Sequence, residues 1–169
     1  MQSIQAQVAA LIEQEPNLRP VSMAQRLNVS ELEVVKELPA SMALVASPNE
    51  ALEILQSLVE FGPLTSIIHA GGSIFEIKAP FPAGIMANGY YNLQGENGQL
   101  HGHIKLESIE NIALVSKPFM GKDSHYIGFF DNQGASILKV YLGRDDQRNV
   151  LPSQVEKFAE LKSQLSAHQ

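Results

Sequence analysis

The stretch that most constrains this fold is Gly89 to Leu106, GYYNLQGENGQLHGHIKL. Asn97-Gly98 lies between two runs of alternating character, and this pair is a strong two-residue hairpin signal because both central positions of the favoured turn take positive φ. Such a loop pairs Tyr90 with Lys105, Asn92 with His103 and Gln94 with His101. All six share one side of the ribbon, since side chains alternate between faces. The other side receives Tyr91, Leu93, Leu100, Ile104 and Leu106, with Gly102 between them, and reads as a core face. Antiparallel sheets commonly leave one face wet, so a polar side is ordinary in itself. A phenol and two imidazoles, however, are ligand types for metals and cofactors more than routine solvated groups. A one-residue slip would undo the grouping.

With 169 residues the chain is long enough for one well-filled core. Its 44% hydrophobic and 18% charged content is that of a folded globular protein. No apolar run approaches bilayer length, and Met1-Gln-Ser-Ile-Gln is not a basic-then-apolar secretion signal, so a soluble cytoplasmic protein without membrane insertion is expected. The absence of cysteine agrees with a reducing compartment and excludes thiolate haem ligation, Cys-x-x-Cys-His attachment, iron–sulfur clusters and zinc knuckles. The net charge of −6 is concentrated in residues 1–60, where eight acids face Arg19, Arg26 and Lys36. The rest is nearly neutral and open to an anionic small molecule, and nucleic acid is not an expected partner.

Along the chain, Ile4, Val8, Leu11 and Ile12 predict a helix ending near Pro16. Ser22 to Leu27 and Glu31 to Leu38 read as two more, the latter opened by a Ser30/Glu33 capping box. The pair resembles a helix-turn-helix, but its second helix, ELEVVKEL, would be repelled by phosphates and is read as a packing or dimer-contact module. Ser41 to Val45 suggests a strand, and Ser47-Pro48-Asn49-Glu50 a capping box opening a helix with Ala51, Leu52, Leu55, Leu58 and Val59 inward. Leu64 to Ala70 and Ser73 to Lys78 pair across Gly71-Gly72, with His69 beside Ile67 and Ile74 on one face. After the central hairpin come Ile109 to Val115, then Ser124 to Phe130 and Ala135 to Leu142, turning at Asp131-Asn132-Gln133-Gly134. Ser153 and Glu156 predict a capping box for a final helix with Val155, Phe158, Leu161 and Leu165 inward. The expected class is α+β in a single 1–169 domain: residues 1–62 mainly helical, 63–150 an antiparallel meander, and 151–169 a helix.

No phosphate loop, dinucleotide fingerprint, nucleophile elbow or His-Glu-x-x-His is present, and no catalytic residue is assigned. His101-x-His103 could begin a zinc site, with His125 the one further ligand by position. Haem accounts for more of the residues: ferric iron accepts a tyrosine phenolate, and histidine serves either oxidation state. Tyr90, His103 and His69 supply those ligand types; Ile67, Ile74, Ile85, Met86 and Phe119 could wall a flat macrocycle; Lys105, Lys122 and Arg144 could meet its propionates.

Thr65-Ser66-Ile67-Ile68-His69, Gly89-Tyr90-Tyr91-Asn92-Leu93, Gly102-His103-Ile104-Lys105, Phe119-Met120-Gly121 and Leu142-Gly143-Arg144-Asp145-Asp146 resemble, in order and spacing, the motifs of the HutX/ChuX-type intracellular haem-utilisation carriers. The resemblance spans nearly the whole chain. It implies a cytoplasmic bacterial carrier that receives imported haem b and passes it to a haem-degrading enzyme. It further implies a homodimer whose paired sheets resemble one double-length HemS/ChuS molecule, with His69, His103 and Tyr90 as haem-binding positions. The rival readings are an enzyme that cleaves or modifies the tetrapyrrole and a haem-responsive helix-turn-helix regulator.

Overall fold

The computed structural model describes residues 1–169. Three N-terminal helices, α1 (Ile4–Gln14), α2 (Pro20–Leu27) and α3 (Glu31–Lys36), precede strand β1 (Ala43–Ala46) and helix α4 (Ala51–Ser57). Strands β2 (Pro63–Ala70), β3 (Ser73–Pro80), β4 (Gly84–Ala87), β5 (Tyr90–Leu93), β6 (Gly102–Ile104), β7 (Asn111–Ser116), β8 (His125–Phe130) and β9 (Ser136–Leu142) follow, and α5 (Pro152–Ala167) ends the chain. The strands form two antiparallel sheets, one of six in the order β1-β7-β8-β9-β2-β3 and one of three in the order β4-β5-β6. The single meander expected from the sequence is thus divided: Pro80-Phe81-Pro82 carries the chain out of the large sheet, and Phe81 is buried in the core where the two sheets meet. Proline cannot donate to a ladder, which favours ending β3 there.

The large sheet is covered on both faces. Ile112, Leu114, Ile127, Phe129, Val140 and Leu142 point into one core, completed by Ile54, Leu55 and Leu58 near α4, Tyr91 and Leu93 of β5, and Phe158, Leu161 and Leu165 of α5. Ala113, Val115, Tyr126 and Phe130 point the other way, into a second core built with Val8, Met23, Leu32, Val34 and Val35 of α1 to α3. This explains why β7 and β8 are apolar without alternation: a strand buried on both faces has no polar side.

The helix starts test the capping expectations one by one. Ser30 and Glu33 close the predicted box, with Ser30 Oγ accepting from Glu33 N at 3.2 Å and Glu33 Oε2 from Ser30 N at 2.7 Å. Ser47 accepts only from Asn49 N, and Pro48–Glu50 is a 3₁₀ turn before α4; the Glu50 carboxylate meets the His168 ring at 3.1 Å instead of closing a box. The Ser153 box does not form either. Pro152, preset for the first helical position, starts α5 two residues earlier with Leu151 as N-cap, so Ser153 falls inside the helix.

The residue that position 154 brings inward was not anticipated. Gln154 is fully buried; its Oε1 accepts from Gly143 N at 2.7 Å, and its Nε2 donates to the carbonyls of Phe61 and Pro63 at 3.0 and 2.6 Å. One amide therefore joins α5 to the start of β2 and the end of β9. We expect Gln154→Leu to lower the unfolding free energy by about 2 kcal/mol, because three backbone groups lose their partners in the interior. Urea titration checks this, and an unchanged midpoint would contradict the assignment.

Candidate functional site

Residue pairing between β5 and β6 follows the register read from the sequence: Tyr91 opposes Ile104, Asn92 opposes His103 and Leu93 opposes Gly102. The turn differs. Pairing stops at Leu93, only Gly98 takes positive φ while Asn97 does not, and Gln99 N closes on Glu96 O at 3.0 Å. The Gln94–His101 pair is not made because Gln94 N donates to Ala83 O at 2.7 Å, turning the chain toward the β4 side. His101 is left exposed in the loop.

Register on the other edge of β5 places Ile85 opposite Asn92 and Gly84 opposite Leu93. Gly84 is needed: a Cβ there would run into the buried Tyr91 ring, so the absent side chain lets β4 and β5 close over the core. With Tyr91 and Leu93 fixed inward, strand alternation sends Tyr90, Asn92, His103 and Ile85 to the outer face. Ile85 is 59% and Tyr90 39% exposed, an apolar surface that a solvated sheet face does not ordinarily carry. The Tyr90 and His103 rings stand edge to face, centroids 6.2 Å apart.

Asn92 sets the chemistry of His103. Its Nδ2 lies 3.0 to 3.1 Å from three carbonyls, Ile85 O, Ala87 O and Tyr90 O, which share its two N–H groups, and an all-acceptor surrounding identifies the remaining amide atom as the acceptor Oδ1. The His103 Nδ1 lies 2.6 Å from that Oδ1 and must therefore carry the hydrogen. Neutral His103 consequently keeps its lone pair on Nε2, the arrangement by which a neighbouring group fixes a metal-ligating tautomer. Sequence reasoning placed Asn92 opposite His103 but gave it no role. The signal was the amide facing an imidazole across a ladder.

Beside β6, between the two sheets, a cavity of about 830 Å³ is lined by His101, His103, Lys105, Ile68, Leu93 and Leu100 among others, within the size range of ligand clefts. Phe75, paired with Ile68, lies on the same face of the large sheet and is 55% exposed. Lys105 is already paired with Glu107 at 2.9 Å, and that hydrogen bond, followed by the attraction of the same carboxylate, raises its pKa. The residues present fit haem in kind: a phenol and an imidazole with a free Nε2 side by side, exposed apolar surface around them, and an ammonium next to them.

The other sequence-predicted residues lie elsewhere in the chain. His69 is on the opposite face of β2 from Ile68, in a cavity between the α2–α3 connection and the β8–β9 turn. Ile67 shares its face, as expected, and Ile74 pairs with it. His125, on β8, bonds Ser116 Oγ through Nδ1 at 2.8 Å and packs against Phe158, so it does not join His101 and His103 in one ligand set. Arg144, Lys122 and Phe119 line a third cavity, on the face of β2 that carries Ile67. Tyr90, His103 and Lys105 are thus brought together, whereas His69 and Arg144 are not.

Burial holds the His69 imidazole below the usual histidine range, with the charge of Lys139 adding to it, and burial does the same for His125. The unfolded chain then takes up protons at these positions first as the pH falls. Their contribution to stability is retained above the ordinary value near 6.5 and lost below it. We expect the urea midpoint to drop between pH 7.5 and 5.5, and to drop less in His125→Asn. Equal midpoints at the two pH values would refute this.

Residues 44–161 match the model of the family described as Haem utilisation ChuX/HutX. The chain is 54% identical over 164 residues to the "Intracellular heme transport protein HutX" of Vibrio cholerae, covering 97% of this chain and 85% of that protein. It superposes on the solved "Structure of the Heme Binding Protein ChuX" with TM-score 0.86 at 34% identity, over 97% of this chain and 99% of that one. A likeness to ChuS, "an E. coli Heme Oxygenase", has TM-score 0.76 at 18% identity over 90% of this chain and 48% of that one, and shows that the fold occurs within about half the length of a longer molecule. A family match across most of the chain, and a relative more than half identical over nearly all of it, agree with the motifs: the chain belongs to the ChuX/HutX haem-utilisation family.

Proposed function

We propose that this protein is an intracellular haem carrier that binds ferric haem at the outer face of β5 and β6 and delivers it to a haem-degrading enzyme. The observation that carries the reading is the pairing of an exposed phenol with an imidazole whose Nε2 is kept free by Asn92. The HutX and ChuX relatives, named for haem transport and haem binding, support it. Tyr90 supplies a phenolate to ferric iron. His103 projects from the same surface, so the two approach a haem from one side, with one ligating and the other supporting it. Haem b is the ligand proposed, and the chain holds and releases it without turnover. Within one chain His69 faces away from Tyr90; a homodimer gives it a route to the iron's other side across the subunit interface.

Titrating ferric haem into the purified protein tests the reading through the Soret and charge-transfer bands. Saturation at one haem per chain supports a carrier, and failure to saturate overturns it. Adding reductant and oxygen to the complex separates carrier from oxygenase: a bilin-like product would place this chain with the enzymes of its fold. We further expect Asn92→Leu to weaken haem binding by roughly 10- to 100-fold, the usual range when the group orienting a metal-ligating histidine is lost. Affinity equal to that of the unmodified protein would remove His103 from the site.

A further inference from the structure

Two Asn-Gly pairs occur in the chain, Asn88-Gly89 and Asn97-Gly98, one on each side of strand β5. Every other asparagine precedes a residue with a side chain. The difference matters chemically, because the backbone nitrogen that follows an asparagine can attack that asparagine's own side-chain amide, and a glycine brings no Cβ to obstruct the approach. Both Asn88 and Asn97 are exposed. Their amides are free of the hydrogen bonds that engage those of Asn17, Asn92 and Asn149. A Cβ on either glycine would stand in open space, so crowding does not separate the two pairs.

The backbone does separate them. Asn88 and Gly89 hold φ of 55° and 81° in a two-residue loop between the paired Ala87 and Tyr90, the kind of turn the sequence suggested for Asn97-Gly98. Rotating the Asn88 backbone to bring its amide onto Gly89 N would break into a ladder of four residue pairs, Gly84–Leu93 to Ala87–Tyr90. Asn92 reinforces that loop, since its Nδ2 lies within 3.1 Å of both Ala87 O and Tyr90 O, one on either side of the turn. Asn97 has no such frame. Pairing of β5 with β6 reaches only Leu93 and Gly102, so residues 94–101 lie outside the ladder. One backbone bond closes their turn, Gln99 N to Glu96 O at 3.0 Å, with Asn97 and Gly98 as its two central residues.

We propose that Asn97 is a site of spontaneous deamidation, while the ladder around Asn88 protects the other pair. The Gly98 amide nitrogen attacks Asn97 Cγ and forms a C–N bond; the Cγ–Nδ2 bond breaks, and Nδ2 leaves as ammonia with the Gly98 proton. Water then opens the five-membered imide at either carbonyl. Opening on the side-chain side gives aspartate; opening on the backbone side gives isoaspartate, which routes the main chain through the former side chain and lengthens the turn by one carbon. Both products add a negative charge beside Glu96. The loop is tied to its surroundings: Gln99 Nε2 donates to Pro80 O at 3.2 Å, Leu100 packs against the main core, and Leu100 and His101 line the cavity beside β6. Ageing at Asn97 therefore reaches a wall of that cavity. The chemistry itself does not rest on the haem reading.

Incubating the full chain at 37 °C and pH 8.0, then digesting it with trypsin beside a zero-time sample, tests the proposal. Residues 79–105 emerge as one peptide that carries both Asn-Gly pairs, so each serves as the other's comparator. Fragment masses assign each gain of about 1 Da, the exchange of an amide NH2 for OH, to one residue. In the folded protein Asn97 is expected to convert at least tenfold faster than Asn88, giving both aspartate and isoaspartate peptides, which elute apart. In 8 M urea the ladder is gone, and the two rates are expected to agree within about twofold. Asn97→Gln, whose longer side chain would have to close a six-membered ring, is expected to show no mass gain in the loop and to stop the acidic form that the unmodified protein develops on anion exchange. An unchanged Asn97 after four weeks, Asn88 converting as fast as Asn97 in the folded protein, the same preference in urea, or aspartate without isoaspartate would each overturn the proposal.

Discussion

Tyr90→Phe is expected to weaken ferric haem binding by more than about a hundredfold, with loss of the charge-transfer band of a phenolate complex. Outer groups that only orient a ligand are worth roughly 10- to 100-fold in metal affinity, so removal of the ligand itself exceeds that range. The substitution takes away one oxygen and leaves the ring, which is 39% exposed and makes no contribution to either core. Folding is therefore untouched, and the change in affinity reports coordination alone. A variant that binds haem with the unmodified spectrum would move the iron to a histidine, in which case His103→Ala and His69→Ala show which one.

The second large effect is on stability. Lys139, 1% exposed in the middle of β9, places its Nζ 2.6 Å from Glu31 Oε1 at the start of α3, and Tyr126 OH donates to the same oxygen at 3.1 Å. Burial lowers the pKa of Lys139 while Glu31 opposes that shift, and burial raises Tyr126 well above the ordinary phenol value, with Glu31 adding to it. Removing one partner strands the other charge in the interior, so Lys139→Ala should cost about 3–5 kcal/mol by denaturant titration. Replacing both Lys139 and Glu31 with apolar residues of similar volume should recover most of that loss, since desolvation of the pair offsets its attraction. A Lys139→Ala variant as stable as the parent would show that the pair is dispensable.

These two cases mark what the sequence makes legible. The grouping of Tyr90, Asn92 and His103 could be read because a hairpin register depends on a few adjacent residues, and it survived a turn of a different type. Gly71-Gly72 likewise placed His69 beside Ile74 correctly. Whether His69 and Tyr90 meet depends on which sheet each strand joins and which face it presents, and nothing local encodes that. Lys139 shows the same limit. In ILKVYL it resembles a solvated residue on an alternating strand, and its burial follows only from helices covering both faces of the sheet, with its partner in the first fifth of the chain. Pro152 displaced a capping box for a reason that is local, and could have been weighed.

The second core has a consequence for synthesis. Val8, Met23, Val34 and Val35 emerge from the ribosome first, yet the sheet face they cover is made by Ala113, Val115, Tyr126 and Phe130. At about 5–20 residues per second, the N-terminal helices wait on the order of ten seconds for their partner surface to be translated. During that interval their apolar stripes are open to chaperones or to other nascent chains. The amino-terminal fifth of this protein is thus the part whose yield in the cell depends most on what is nearby while it waits.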